Sequence, residues 1–114
     1  MIKATITRSI SDESITSFQM TGHAEFADKG QDLVCAGVSA VVFGSVNSII
    51  ALTGIDPLLD LGEEGGYFYF ELPAETDPSS FEKAQLLLEG MVISLETIER
   101  DYHEYVKLST KNRR

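Results

Sequence analysis

The chain holds one cysteine, Cys35, and two histidines, His23 and His103. A thiol paired with an imidazole gives cysteine hydrolases their nucleophile and their base, so where these residues fall decides whether that chemistry is open to the molecule. His23 follows Ile15 to Thr21, a run with strand character, and Cys35 stands near the start of Leu33 to Thr53, a long apolar run that reads as a helix. This spacing predicts His23 at a strand end and Cys35 in a helix's first turn. There, backbone N–H groups without intrahelical partners and the positive end of the peptide dipoles favour a thiolate. An imidazole within reach takes the proton and later hands it to a leaving amine. Asp32 reads as the N-cap, accepting from the N–H of Val34 or Cys35, although its negative charge opposes the dipole. Ser39, four residues beyond Cys35, shares its helix face and can line the site. A lone cysteine among valine, alanine and glycine is also the pattern of a small buried hydrophobe, and a lone histidine after a strand that of a turn residue.

The flanking elements must deliver these two side chains. Ile2, Ala4 and Ile6 alternate with Lys3, Thr5 and Thr7, and Ile15, Phe18 and Met20 punctuate a Thr/Ser-rich second run, a hairpin whose turn is Ser11 to Ser14. The polar stretch Ala24 to Gln31 reads as a loop, with Gly30 permitting unusual backbone angles, Phe26 placed to clamp substrate and Gln31 a possible oxyanion donor. In the long helix, Val34, Val38, Val41, Val42, Val46 and Ile49 form a stripe suited to a sheet. Gly37, Ala40, Gly44, Ser48 and Ala51 form a second, small-residue stripe that admits close approach of another helix, from this chain or from a second subunit. Thr53-Gly54 with Pro57 ends it. A second hairpin joins Leu58 to Leu61 and Tyr67 to Leu72 through an acidic, glycine-rich turn, with Phe68 and Phe70 on one face and the tyrosines on the other. Ser79 and Glu82 suggest a capping box ahead of a helical stripe from Phe81 to Tyr102, and Val106 to Ser109 a short edge strand.

Gly22-His23-Ala24, then a short loop carrying Gly30-x-Asp32, then Val34-Cys35-Ala36-x-Val38-Ser39-Ala40 running into a helix, closely resembles the ribosomal-processing cysteine protease family of Firmicutes and related bacteria. The similarity covers the whole chain. It implies a small cytoplasmic endopeptidase, usually dimeric, that removes a short N-terminal extension from a large-subunit ribosomal protein, number twenty-seven of the bacterial set. It further implies His23 as general base and Cys35 as nucleophile, with Gly22, Asp32 and Ser39 supporting the site or contacting substrate, and a loop between Gly22 and Asp32 that closes over it.

With 114 residues, 43% hydrophobic and 24% charged, one domain spanning 1–114 is expected. The net charge of −9 and a pI near 4.5 argue against a phosphate-backbone binder and suit a basic protein substrate. One cysteine admits no internal disulfide, in keeping with a reducing cytosol, and Met1 to Thr5 enters strand pattern without a leader. Leu33 to Thr53 is long enough for a membrane span, but glycines, serines and Asn47 dilute it. No metal or other cofactor is implied. The expected architecture is α+β, ββαββα, with an antiparallel sheet covered by two helices on one face. The expected function is a cysteine endopeptidase acting through an acyl-enzyme; the alternative is a non-catalytic acidic module that holds a peptide or assists ribosome assembly.

Overall fold

The computed structural model describes residues 1–22, 29–63 and 66–113, excepting the side chains of 29–32. In chain order the elements are β1 (Ile2–Ser9), β2 (Ile15–Thr21), α1 (Lys29–Thr53), β3 (Leu58–Asp60), β4 (Tyr67–Glu71), α2 (Pro78–Asp101) and β5 (Val106–Arg113). Five strands form one sheet in the order β3-β4-β2-β1-β5.

Alternation builds the sheet's inner face. Ala4 pairs with Met20 and Ile6 with Phe18 across β1 and β2, Phe18 pairs with Phe70 across β2 and β4, and all five are buried together. Phe18 stacks on Phe70 with ring centroids 5.0 Å apart. Onto this face α1 lays Val34, Val38, Val42, Val46 and Ile49, and α2 lays Ala84, Leu88, Met91 and Leu95. The α+β class and the two predicted core stripes therefore hold, except at Tyr102, which caps α2 and is exposed. The sheet is not wholly antiparallel: β5, expected as a short strand, runs eight residues parallel to β1, from Ile2 beside Val106 to Ser9 beside Arg113. A parallel neighbour requires a crossover, which α2 provides.

A bulge between Thr7 and Arg8 skips Thr16 on β2 and returns Ile15 to the core. The Gln85 side chain of α2 compensates, its Oε1 accepting from the Ile15 N–H and its Nε2 donating to the Ile15 carbonyl, both at 2.7 Å. One residue along β1, the Arg8 guanidinium grips both carboxylate oxygens of Glu89 on α2, at 2.6 and 2.8 Å.

Helix α2 begins two residues earlier than its expected capping box. Asp77 is the N-cap, its carboxylate accepting from the Ser80 N–H at 3.0 Å, with Pro78 at the first helical position. Helix α1 stops as expected: Gly54, at φ 75°, donates its N–H to the Ile50 carbonyl.

Candidate active site

Cys35 is the seventh residue of α1, because the helix begins at Lys29 and not near Leu33. Two expectations fall with that. Asp32 lies inside the helix and is not its N-cap, and Lys29 to Gln31 belong to the helix, not to a loop. The unpaired N–H groups belong to residues 29–32, ahead of Cys35, and the dipole's effect fades beyond the first turn.

Cys35 is a free, half-buried cysteine that touches the hydrophobic core and opens on a cavity of about 190 Å³. Ser39, on the next turn, lines the same cavity, as does Gly22 at the end of β2. The remaining walls are apolar, with Ile2 and Met20 from the first hairpin, Val38 and Val42 from α1, and Phe68 beneath. The sulfur therefore stands at the rim of a greasy recess between helix and sheet, suited to hold an apolar side chain while a neighbouring carbonyl meets the thiol.

Gly22 is fixed by its surroundings. Its φ is +91°, and a Cβ at this position would sit 2.1 Å from the Met1 carbonyl oxygen. Its N–H donates to the Gly66 carbonyl at 2.9 Å, tying the end of β2 to the turn before β4. Three of the six predicted site residues, Gly22, Cys35 and Ser39, thus border one cavity. His23 and Phe26 lie outside the described residues, as does the Asp32 side chain.

Sequence reasoning considers the second hairpin's tyrosines as a grip for an extended peptide but does not place this hairpin beside Cys35. Gly66, Tyr67 and Phe68 line the recess, and Phe43 closes it from α1, its ring edge-on to Phe68 with centroids 5.0 Å apart. Strand alternation placed Phe68 on the inner face, but only the pairing of β4 with β2, Met20 beside Phe68, brings that face to Cys35. Phe43 offered a signal: a large aromatic outside the valine stripe, 43% exposed in the structure.

Comparison with known proteins decides the family. The sequence profile of the family described as cysteine protease Prp matches residues 1–107. The chain belongs to that family. It is 64% identical to the ribosomal processing cysteine protease Prp of Bacillus subtilis strain 168, over 96% of this chain and 97% of the relative. Two crystal structures of the ribosomal processing protease Prp from S. aureus, each 40% identical, superpose over 97% of this chain and 100% of theirs. One holds a substrate peptide, at a TM-score of 0.84; the other holds a covalently linked product peptide, at 0.83. As a Prp-family member the chain is a cysteine endopeptidase. The non-catalytic alternative finds no support, since a relative of this fold carries its product on a covalent bond.

Proposed function

We propose that this endopeptidase removes the N-terminal extension of a large-subunit ribosomal protein precursor, with Cys35 as nucleophile and His23 as base and then acid. The observation that carries the assignment is the shared cavity: Cys35 and Gly22 border it together, and His23 is the next residue in the chain after Gly22. The Cys35 sulfur attacks the scissile carbonyl as His23 takes the thiol proton, forming a C–S bond. His23 returns that proton to the leaving amine as the C–N bond breaks, which leaves the extension as a thioester on Cys35. Water, deprotonated by His23, attacks the thioester and frees the thiol. Ser39 and Gly22 form the wall beside the reacting carbonyl, and Phe26 and Asp32 act in support or on substrate.

The partner is basic, as ribosomal proteins are, and a net charge of −9 steers it in. All of this lies in one domain, 1–114, in the cytoplasm, where a lone thiol stays reduced. The working form is a homodimer. Its support is α1, whose Leu33–Thr53 span has a mean hydropathy of 2.0 but is only 28% buried. Gly37 and Gly44 face open space, so the small-residue stripe does not serve contact with α2.

The test is incubation with a precursor ribosomal protein carrying its extension, read by mass, using parent and His23→Ala. Expected are a single cut by the parent and a loss of about 100-fold or more in the variant, the range for removing a general base. A precursor left intact by the parent with Cys35 reduced would overturn the substrate; parental rates in the variant would overturn the base.

A further inference from the structure

The three adjacent strands β2, β1 and β5 contain no aspartate or glutamate, in a chain with 18 of them, while holding five of its nine lysines and arginines. One of the five, Arg8, points to the helices and is paired with Glu89. The other four, Lys3, Lys107, Lys111 and Arg113, are exposed and stand on the sheet face that no helix covers, opposite in alternation to the buried Ile2, Ala4 and Val106. None of the four makes an ion pair with another described residue. Lys3 and Lys107 are register partners, so two like charges lie side by side, an arrangement that weakens a sheet unless something neutralises it.

Between and beside these cations the same face presents hydroxyls and an amide, among them Thr5, Ser109 and Gln19, the donor types that hold phosphate oxygens. In β4, Tyr69 continues the face beside Gln19, and Tyr67, paired with Thr21, follows it in alternation at the end where the residue also borders the Cys35 recess. Both rings are half-buried, and the charge of Arg113 is felt at the Tyr69 phenol. Among the described residues of these strands, acid falls in β3 and β4, where Asp60 and Glu71 flank Tyr69 and Glu71 accepts from its hydroxyl. A net charge of −9 averages over this segregation. The carboxylates of α2 stem from the opposite side of the sheet, Glu99 reaching the β5 edge to accept from the Leu108 N–H at 2.7 Å, and screening at about 8 Å in physiological salt blunts those farther away.

We propose that this open sheet face binds a single-stranded nucleic acid, its phosphates along the β1–β5 cations and its bases toward the β4 tyrosines. The rings favour a nucleic acid over an acidic peptide, because a base can stack on them and a carboxylate cannot. The proposal is independent of the cleavage chemistry. Lysines on an edge strand also discourage strand addition, a duty that glutamate performs equally well. Lys107→Glu with Lys111→Glu therefore reverses the anion site while keeping the edge protected.

The test is fluorescence anisotropy of a labelled single-stranded RNA oligomer from 50 to 200 mM salt, on the full chain and on this double variant. Four phosphate contacts give a log–log salt slope of about −3, a loss of about fiftyfold over that range. In the double variant binding should fall more than tenfold at low salt, with peptide cleavage unchanged. Three results would each overturn the proposal: no binding at 50 mM salt, equal binding by the variant, or a poly-glutamate peptide or an RNA duplex of matched length bound as tightly as the single strand.

Discussion

At position 22 the backbone leaves no room for a side chain. The left-handed φ of +91° alone costs an L-residue about 1–2 kcal/mol, and a methyl group would collide with the Met1 carbonyl. Gly22→Ala should lower stability by about 2 kcal/mol or more, read as a reduced urea midpoint at unchanged slope; a midpoint within error of the parent would show that the end of β2 yields freely. Gly22, Cys35 and Ser39 were legible by type and order, because the run around Cys35 is long and specific, and they border one cavity; His23, the proposed base, lies outside the described residues. The start of the helix was not legible. Lys29 to Asp32 is polar and contains Gly30, worth about 1 kcal/mol against a helix, so the apolar periodicity that marks α1 begins only at Leu33. That difference moves Cys35 from the first turn into the second.

Two contacts between α2 and the first hairpin set the frame that holds this cavity. Gln85 satisfies the N–H and carbonyl of Ile15 at the bulge, as a neighbouring strand would. Gln85→Leu leaves both groups unpaired, and a loss of about 1–3 kcal/mol is expected in chemical denaturation; a neutral result would mean that water replaces the amide. The Arg8 guanidinium, by hydrogen bonding, holds the Glu89 carboxyl below its ordinary 4.5. The pair's contribution is therefore complete above that value and lost as pH falls through the lowered one. With Glu89 43% exposed, about 1 kcal/mol or less is at stake near neutrality. The stability gap between parent and Glu89→Gln should close on acidification from pH 7 to pH 3; a gap that stays constant or widens would contradict this. None of these pairings was readable beforehand, since residues 70 or 81 positions apart meet only through the crossover that also makes β5 parallel. The strands and both core stripes were readable, because each follows from local alternation or helical spacing.

For the whole molecule, the outward face of α1 carries the clearest unmet demand. Leu33 is 65% exposed and Leu52 69%, and Gly44 lies among exposed residues with nothing near its position. If the proposed homodimer forms through this face, Gly44→Arg should fold as the parent does and sediment as a monomer at concentrations that dimerise the parent; a dimer unchanged by the substitution would move the interface elsewhere. Charge also acts at this scale, since a sum of −9 leaves four cations together on one sheet face. The account as a whole rests on the sulfur of Cys35. Its most direct test is Cys35→Ala with a ribosomal protein precursor, binding and cleavage being followed in the same sample. Expected is binding close to the parent's with no detectable cut; cleavage of the precursor at the parental rate would contradict the mechanism.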